Sequence, residues 1–505
     1  MIFWSFLLSF SFYPGIFGFL AWFSLIRPLM IISRLRGKAV FQVSYFFSFF
    51  FTLFCIYWIA QVTPPGMLAA VVIVAFYYTA GLCLFNALYR RKALYGLIAV
   101  PFLWVGVEHF RTLSEFAFPW ADLGYSQSYY LYILQIVSIV SVHGLSLLIV
   151  GVNVLLWQVF RSEISVEKRL TSAFMSIGTV GFLIGYGWAV MPVYPIEGNY
   201  KVAILQGSVP LELKWNAVSE AYNYNLYDSL ARSVQDTSVK LFVWPETAAP
   251  CYPELEYDCR ELLGKTAIAT QSHHLIGALR ARTFNGNRRF YNSSFQFNPN
   301  GGLERSYDKM KLVPFAEHVP YQDHFPFLTE EFLTQYLTFI ETYEIQWWSD
   351  FYPGDSLRLF DLTDSRYGVL ICFESAFPEF VRTMVNSGAE FIVGITNDTW
   401  FENTIGMDMH SRVFVTRAVE NRTWMARAAN SGYSYIVDDY GRIRHQLPQD
   451  DKAVLAEGLL LRESRSLFTR WGDVAGRFSF LLTALIAGIL LVKWIFAVTF
   501  FRKKS

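Results

Sequence analysis

Long apolar stretches fill the first 195 positions of the chain, and one more closes its C-terminus. The runs Ala39 to Val62, Met67 to Leu88 and Leu131 to Phe160 contain no Asp, Glu, Lys or Arg. Each is long enough to cross a hydrocarbon core of about 30 Å as a helix. The last run extends from Phe478 to Phe501, and its single charge, Lys493, lies close enough to the end to snorkel toward the interface. This pattern predicts a polytopic α-helical membrane bundle.

We predict about eight spans from the lengths of these runs. Two would form a hairpin in residues 1–33, broken at Pro14, because this segment lacks the basic start and the cleavage site of a signal peptide. The others are expected at about 39–62, 67–89, 93–107, 131–160, 172–192 and 477–500. Eight spans place all four basic clusters, at 34–38, 90–92, 161–169 and 502–504, on one side, which the positive-inside rule assigns to the cytoplasm. The hydrophilic segment before the last span is then expected to face outward.

That hydrophilic segment, about Gly198 to Leu467, alternates short apolar runs with helical patterns. The strand-like runs lie at 201–205, 240–244, 274–279, 291–297, 368–372, 391–395, 434–437 and 453–458. The helical patterns lie at about 217–237, 253–270, 376–387 and 405–427. Such alternation is typical of layered α/β architecture. We therefore predict three parts: a bundle in 1–196, an extracytoplasmic catalytic domain in 197–470, and a C-terminal helix with a basic tail in 471–505.

Composition supports the membrane assignment and excludes several classes of protein. Hydrophobic residues make up 53% of the 505 positions and charged residues only 16%, against about 25% charged in soluble domains. The net charge of +1 gives no case for nucleic-acid binding, and no Gly-rich phosphate loop is present. The eight histidines show no metal-ligand spacing, so we predict no metal and no cofactor. Glu108, His109 and Arg111 end a predicted span and are expected at the membrane interface rather than along a proton path.

The five cysteines differ in their settings. Cys55 and Cys83 lie within predicted spans, where they serve as small apolar residues. Cys251 and Cys259 are eight positions apart in the outward segment, where a disulfide is consistent with the compartment, but the spacing alone does not decide it. Cys372 ends the apolar run that starts at Tyr367, in the manner of a strand that delivers a nucleophile to the rim of a sheet. The alternative is an inert, buried cysteine.

Two upstream segments favour the nucleophile. Leu241-Phe-Val-Trp-Pro-Glu246 is a second apolar run that ends in an acid, and a third segment places Lys309 and Glu317 on either side of a proline. A thiol of ordinary pKa is mostly protonated at neutral pH, so a nucleophilic cysteine needs a base or a cation nearby. Glu246 would take the thiol proton, and Lys309 would stabilise both the thiolate and the oxyanion of an attacked carbonyl.

These three segments together resemble the Glu-Lys-Cys triad of the nitrilase, or carbon-nitrogen hydrolase, superfamily. Further motifs make the chain similar to the membrane-bound branch of that superfamily, the apolipoprotein N-acyltransferases. They are Asn397-Asp-Thr-Trp-Phe401, Arg417-Ala-Val-Glu420-Asn-Arg422, Tyr440-Gly-Arg442, Phe118-Pro-Trp120 and Leu123-Gly-Tyr125-Ser-Gln127. The resemblance implies a nitrilase-like αββα sandwich joined to the bundle.

The resemblance also implies roles for single residues. Glu246 would be the base, Lys309 the oxyanion stabiliser and Cys372 the nucleophile, with Glu317 and Glu374 as supporting acids. The sequence departs from the family pattern at Ala316 and at Glu402, where relatives usually carry glycine. Because glycine often serves a backbone angle that other residues reach only with strain, the loop shape at both positions is an open question.

The activity implied by the resemblance is acyl transfer at a membrane. The donor would be a membrane phospholipid, the intermediate a thioester on the cysteine, and the acceptor the α-amine of a diacylglyceryl-cysteine on an apolipoprotein. We expect a monomer in the bacterial cytoplasmic (inner) membrane with its catalytic domain on the periplasmic face. One alternative is a membrane-anchored amidase or nitrilase acting on a small carbon-nitrogen substrate. The other is a non-catalytic scaffold or a transporter-like bundle.

Aromatic residues near these motifs are candidate substrate contacts. The segment 325–352 is rich in Phe, Tyr and Trp, including Trp347 and Trp348, and is either a lid that enters the headgroup layer or a covering helix that fills the core. Trp400 and Phe401 have the same two interpretations, as contacts to an acyl chain or as packing. Trp244, two residues before Glu246, completes the set of candidates.

Overall fold

The computed structural model describes residues 1–210, 217–284, 286–322, 324, 351–462 and 465–502. The chain divides into two compact units. The first consists of Met1–Tyr57, Met67–Val190 and Asp473–Ser505, and the second of Trp58–Gly66 and Met191–Gly472. The candidates Trp347 and Trp348, with almost all of the aromatic segment around them, lie outside the described residues.

Helices account for the first unit and for the outer layers of the second. In chain order they are α1 (Ile2–Phe10), α2 (Ile26–Arg34), α3 (Lys38–Ile56), α4 (Pro64–Arg91), α5 (Ala93–Phe110), α6 (Leu131–Leu134), α7 (Val137–Val159), α8 (Val166–Val190), α9 (Ala217–Ser233), α10 (Tyr257–Thr270), α11 (Pro378–Asn386), α12 (Ile405–Asn421), α13 (Leu467–Trp471) and α14 (Val474–Arg502). Short 3₁₀ segments accompany them, of which Ile16–Trp22, Leu123–Gln127 and Cys372–Ala376 matter below.

Seven helical stretches in the described part of the chain are long and apolar enough to cross a membrane. They are Ile16–Arg34, Lys38–Gln61, Gly66–Arg91, Ala93–Phe110, Val137–Val159, Val166–Val190 and Val474–Phe496. The predicted polytopic bundle is thus confirmed, with one difference at the N-terminus. Where two spans were expected, α1 has only 9 residues and is roughly 14 Å long, too short to cross a bilayer.

Glu108, His109 and Arg111, which are expected at the membrane interface, lie at the end of α5 and are all buried within the first unit. Their exposed fractions are 0%, 6% and 3%. Burial is tolerated because each has a polar partner within the first unit: Glu108 accepts a hydrogen bond from Trp104, Arg111 donates to Tyr78, and His109 meets Asp473. Two of these partners, Tyr78 and Asp473, lie 33 and 364 positions away, a separation that local patterning does not reveal.

The second unit contains two six-stranded sheets. The strands are β1 (Tyr200–Gln206), β2 (Leu241–Val243), β3 (His273–Phe284), β4 (Asn287–Phe297), β5 (Leu303–Asp308), β6 (Leu359–Asp361), β7 (Arg366–Ile371), β8 (Phe391–Thr396), β9 (Met425–Ala429), β10 (Tyr435–Val437), β11 (Ile443–Gln446) and β12 (Ala453–Leu459). One sheet has the order β12-β1-β2-β3-β4-β5 and the other the order β11-β10-β9-β8-β7-β6. Parallel pairs lie at the centre of both, flanked by antiparallel ones.

The core of this unit has the layers of an αββα sandwich. Apolar side chains from both sheets, such as Val202 and Val369, form one buried cluster between them. A second cluster lies on the opposite face of the first sheet, where side chains of α9 and α10 cover it. On the second sheet, Gly394 of β8 leaves room for the ring of Phe414 of α12. The predicted nitrilase-like architecture is confirmed.

The differences from the predicted elements have local causes. The predicted helix over 405–427 ends at Asn421, because Arg422 adopts a left-handed conformation with φ of +53° and the chain then enters β9. β9 itself was not predicted, since Met425–Ala429 contains no β-branched or aromatic residue. Its fully buried place between β8 and β10 overrides that weak propensity.

Candidate active site

Cys372 stands at the end of β7, where the strand turns into a 3₁₀ segment. Its backbone has φ of +52°, a left-handed conformation that is rare for a residue with a side chain. Such strain persists only where the surrounding structure enforces it. The side chain is half-buried at the rim of the second sheet. The nucleophile predicted from the sequence is thus presented on a tight, strained turn.

Glu246 follows β2 of the facing sheet and is buried. Its Oε1 accepts hydrogen bonds from Asn292 Nδ2 at 2.7 Å and from Lys309 Nζ at 3.2 Å. Its Oε2 accepts a hydrogen bond from the backbone N–H of Asn397 at 3.0 Å. These donors fix the orientation of the carboxylate that is predicted to act as the general base.

Lys309 lies directly after β5 and is buried with 1% of its side chain exposed. Its Nζ donates to Glu317 Oε1 at 2.8 Å as well as to Glu246. Burial alone would lower the pKa of Lys309, but the two carboxylates outweigh burial and raise it. The lysine is therefore a permanent cation held between two acids.

The thiol of Cys372 interacts electrostatically with this same group of charges. Burial is the largest influence and raises the pKa of the thiol, and Glu246 raises it further. Lys309 acts in the opposite direction, as does a hydrogen bond with Thr396. Because the net shift is upward, the resting cysteine is a protonated thiol and needs a base to become a nucleophile. The structure brings Glu246, Lys309 and Cys372 together.

The two predicted supporting acids occupy different positions. Glu317 contacts Lys309 directly, and its Oε2 accepts a hydrogen bond from the backbone N–H of Val313 at 2.9 Å. Glu374 is fully buried behind the nucleophile, where burial raises its pKa to about 7. Its carboxylate accepts hydrogen bonds from the Tyr307 hydroxyl at 2.6 Å and from three backbone N–H groups, of Met310 at 2.7 Å, Lys311 at 3.3 Å and Ile371 at 2.8 Å. Glu374 thus ties the cysteine turn to the lysine loop.

Sequence reasoning missed a buried network on the other side of Cys372. His410 of α12 places Nε2 3.2 Å from the backbone carbonyl oxygen of Cys372 and Nδ1 3.0 Å from Asp398 Oδ1. Arg427 Nη2 donates to Asp398 Oδ2 at 2.7 Å. Burial alone would raise the pKa of Asp398, but Arg427 and His410 lower it to about 2. His410 follows the Asn397–Phe401 motif by nine positions, and nothing in its spacing marks it out.

The aromatic candidates fall into different settings. Trp244 is fully buried, stacks on Tyr227 with ring centroids 5.1 Å apart and donates from Nε1 to His274 at 3.0 Å. It therefore packs in the core of the second unit. Trp400 is exposed, whereas Phe401 packs edge-on against Trp58, 5.0 Å between ring centroids.

The two departures from the family's glycines have different consequences. Ala316 is absent from the residues with positive φ, which occurs instead at its neighbour Phe315, with φ of +62°. Glu402 does take a conformation suited to glycine, with φ of +45° and ψ of −151°. Only the second departure places strain on the backbone.

Cys251 and Cys259 form a disulfide. The question that their spacing left open is thereby answered in favour of the bond. The bond joins the segment that follows Glu246 to the start of α10. Cys372 remains a free thiol.

Two family models match the chain. The one described as Carbon-nitrogen hydrolase matches residues 201–464, and the one described as Apolipoprotein N-acyltransferase N-terminal domain matches residues 5–155. The predicted triad residues Glu246, Lys309 and Cys372 all lie within the first match.

Similar proteins are known in several bacteria. The chain is 31% identical to the apolipoprotein N-acyltransferase of Geobacter metallireducens, over 97% of this chain and 92% of that protein. It is 26% identical to the enzyme of the same name from Chlorobaculum tepidum, over 90% of this chain and 88% of that protein. Among solved structures, a nitrilase-superfamily amidase from Nesterenkonia sp. AN1 aligns with 57% of this chain and 100% of its own, at 17% identity and a TM-score of 0.40.

Proposed function

Because the chain belongs to the apolipoprotein N-acyltransferase family, we propose that it moves a fatty acyl chain from a membrane phospholipid to an apolipoprotein through a thioester on Cys372. The acceptor is the α-amine of the diacylglyceryl-cysteine at the apolipoprotein's N-terminus. The observation that carries the proposal is the position of Lys309 Nζ, 3.2 Å from Glu246 and 2.8 Å from Glu317, in electrostatic contact with the thiol.

The first half-reaction forms the acyl-enzyme. Glu246 takes the proton of the Cys372 thiol, and the thiolate attacks the ester carbonyl of the phospholipid. The Lys309 ammonium stabilises the negative charge that develops on the carbonyl oxygen. When the tetrahedral intermediate collapses, the C–O bond of the ester breaks, and the leaving alkoxide takes the proton from Glu246 to depart as a lysophospholipid.

The second half-reaction transfers the acyl chain. The free amine of the acceptor attacks the thioester carbonyl, Lys309 again stabilises the oxyanion, and Glu246 accepts a proton from the attacking nitrogen. Collapse breaks the C–S bond, forms the amide and releases the Cys372 thiolate, which recovers the proton from Glu246. The enzyme returns to its resting thiol, the state favoured by the raised pKa.

The protonation states of the resting site suit this cycle. Lys309 is held as a cation by two carboxylates, so charge stabilisation is present before the substrate arrives. The carboxylate of Glu246 is oriented by hydrogen bonds from Asn292, Lys309 and the backbone N–H of Asn397, so its orientation does not depend on the Cys372 thiol. Both features lower the reorganisation needed in the transition state.

We further propose that the catalytic part, residues 197–470, works on the periplasmic face of the bacterial cytoplasmic membrane as a monomer. The chain is a multi-pass membrane protein with seven candidate spans in its described residues. The disulfide between Cys251 and Cys259 supports an oxidising compartment for this part of the chain, because such bonds persist outside the cytosol. The basic clusters beside the predicted spans give the same orientation.

A labelled donor tests the mechanism. The full-length protein, purified in detergent, is incubated with a phospholipid that carries a fluorescent acyl chain, and no acceptor is added. We expect fluorescence that remains on the denatured protein, is released by hydroxylamine, and maps by mass spectrometry to the peptide containing Cys372. Cys372→Ala should carry no label, while Cys83→Ser, a matched change of a half-buried thiol in α4, should label normally.

The same experiment distinguishes acyl transfer from the alternative activity, hydrolysis of a small carbon-nitrogen substrate. A labelled Cys372→Ala protein would refute the thioester on that sulfur. A wild-type protein that never accepts label from phospholipid but hydrolyses small amides would favour the membrane-anchored amidase. Adding a synthetic diacylglyceryl-cysteine peptide then tests the second half-reaction, because the label should move from the protein to the amine of the peptide.

A further inference from the structure

Three buried side chains meet inside the first unit. Glu108 lies in the last turn of α5, Asp122 directly precedes the 3₁₀ segment Leu123–Gln127, and His143 lies in α7 just after the non-helical residue Ser141. Their exposed fractions are 0%, 1% and 1%. One potential ligand atom from each lies within 4.8 Å of the other two.

One carboxylate oxygen of Glu108 is hydrogen-bonded, and the other is available to bind a cation. Its Oε1 accepts hydrogen bonds from the Trp104 indole at 2.9 Å and from the backbone N–H of Leu123 at 2.8 Å. Within the described part of the chain, Oε2 is buried and forms no well-shaped hydrogen bond, although the Ser146 hydroxyl lies close to the carboxylate. A buried carboxylate oxygen that is poorly hydrogen-bonded is costly, and a proton or a cation would remove that cost.

His143 shows the same division between its two nitrogens. Nδ1 lies 2.6 Å from Asp473 Oδ2, a carboxylate that can only accept, so Nδ1 donates. Nε2 faces Asp122 Oδ2 at 3.5 Å, and neither that nitrogen nor either oxygen of Asp122 forms a well-shaped hydrogen bond with any described residue. In the neutral form of this tautomer, the Nε2 lone pair faces the lone pairs of Asp122 Oδ2. That arrangement is repulsive unless a proton or a cation lies between the two atoms.

The charges of the cluster give an independent argument. Three buried carboxylates, of Glu108, Asp122 and Asp473, share one guanidinium, Arg111, whose Nη2 lies 3.5 Å from Asp122 Oδ1. With neutral imidazoles the cluster holds two negative charges in excess. Uncompensated buried charge is strongly destabilising, and a single divalent cation removes the excess.

We propose that Glu108, Asp122 and His143 bind one divalent cation of the zinc type. Two carboxylate oxygens and an imidazole nitrogen form a ligand set that Zn²⁺ accepts, at distances of about 2.0–2.2 Å. The hydrogen bond from His143 Nδ1 to Asp473 is the carboxylate–histidine pairing that orients a metal-bound imidazole and fixes its tautomer.

Complete burial makes this a structural site, and the second oxygen of Asp122, which is also without a well-shaped hydrogen bond, would supply the fourth ligand that a structural zinc requires. The ligands come from α5, from the segment that follows it and from α7, so the cation ties together three pieces of the first unit. No ligand is exposed enough to admit a substrate. The site also requires a glycine at position 476. A Cβ there would lie 1.9 Å from Asp473 Oδ2 and would displace the acid that orients His143.

Metal content of the intact protein tests the proposal. The full chain is purified in detergent with a tag that contains no histidine, from cells grown with zinc, and is analysed by inductively coupled plasma mass spectrometry. We expect about one zinc per chain. Asp122→Asn and His143→Gln should lose most of it, whereas His445→Gln, which changes an exposed histidine paired with Glu457, should retain it as the control for surface binding.

A second measurement does not depend on variants that fold poorly. X-ray absorption at the zinc edge of the wild-type protein should show only nitrogen and oxygen neighbours at about 2.0–2.2 Å, without sulfur near about 2.3 Å. A wild-type protein without stoichiometric metal overturns the proposal, as does a zinc with thiolate neighbours. Equal loss of metal from His109→Gln would also overturn the ligand set, because His109 contacts Asp473 alone among these acids. NMR signals of protonated imidazole rings for both His109 and His143 in a metal-free protein would also overturn the proposal. They would show that protons, and not a metal cation, balance the negative charge of the buried carboxylates.

Discussion

His410 Nε2 lies 3.2 Å from the backbone carbonyl oxygen of Cys372. The imidazole thus contacts the backbone of the residue whose φ of +52° places the thiol at the rim of the sheet. On the other side of the ring, Nδ1 contacts Asp398, and Arg427 donates a hydrogen bond to Asp398. The strained turn at Cys372, the proposed nucleophile, is therefore supported by a buried network that contains neither Glu246 nor Lys309.

We expect His410→Ala to slow acylation of Cys372 by about 10–100-fold, because a displacement of about 1 Å at a reacting group costs this much. The effect should fall on the single-turnover rate and leave the donor concentration for half-saturation nearly unchanged, since His410 touches the nucleophile's backbone and not the substrate. His410→Gln should recover part of the rate by restoring a polar contact to that backbone. Unaltered acylation in His410→Ala would contradict the positioning role.

Removing the charge of Glu246 and removing the charge of Lys309 should change the reactivity of the Cys372 thiol in opposite directions. Glu246 raises the pKa of Cys372 and Lys309 lowers it. We therefore expect iodoacetamide to alkylate Cys372 faster in Glu246→Gln than in wild type at pH 8, and more slowly in Lys309→Met. Both variants should nevertheless lose acyl transfer, because one lacks the base and the other the oxyanion partner.

The measurement is the rate of alkylation of Cys372, followed by mass spectrometry from pH 6 to pH 10. The wild-type rate should keep rising through pH 9, with no plateau near neutrality, because the folded pKa lies above the ordinary value. A plateau below pH 8 would mean that the resting enzyme holds a thiolate. It would also contradict Glu246 as an essential base.

Glu374 should make stability depend on pH in a definite direction. Burial raises its pKa to about 7 from an ordinary value of 4.5, so between these values the folded protein binds a proton that the unfolded chain does not. Stability therefore falls as pH rises from about 4.5 to 7, by about 3 kcal/mol in total, and this contribution is constant above pH 7. Glu374→Gln should be less stable overall, because an amide N–H meets backbone donors, but its stability should lack this slope.

The comparison is made on thermal midpoints in detergent at pH 5, 6, 7 and 8. Glu379→Gln is the matched control, since this glutamate of α11 has an exposed side chain paired with Arg382. It should follow the wild-type pH dependence. If Glu374→Gln retains the full slope, another group is responsible for it.

How far the sequence predicted this molecule depends on the range of the interactions involved. Cys372 and Glu246 were found because each ends an apolar strand, and a polar residue in that place stands out against its neighbours. His410 was not found, because it lies within a helix and acts on a residue 38 positions earlier. His143 and Asp473 are 330 positions apart, and only the packed bundle reveals that they share a hydrogen bond.

The disulfide should contribute stability through the unfolded chain. A bond closing the short loop between Cys251 and Cys259 is worth about 2–3 kcal/mol by the loop-entropy relation. We expect the double change Cys251→Ser with Cys259→Ser to lower the thermal midpoint, and dithiothreitol to lower the wild-type midpoint to the same value. Cys83→Ser should respond to dithiothreitol as wild type does. A midpoint insensitive to both treatments would show that the bond carries no stability.

Glu402 offers a prediction in the stabilising direction. Its φ of +45° with ψ of −151° is a conformation that costs a residue with a side chain about 1–3 kcal/mol. Glycine avoids this strain but loses roughly 0.5–1 kcal/mol to the entropy of the unfolded chain, so Glu402→Gly should gain about 1 kcal/mol. The matched control is Ala316→Gly, at the other position where the sequence departs from the pattern it resembles. Because φ at Ala316 is not positive, that change brings only the entropic loss and should lower the thermal midpoint. If the thermal midpoints of Glu402→Gly and Ala316→Gly shifted in the same direction, backbone strain at Glu402 would not be what determines the effect of that substitution on stability.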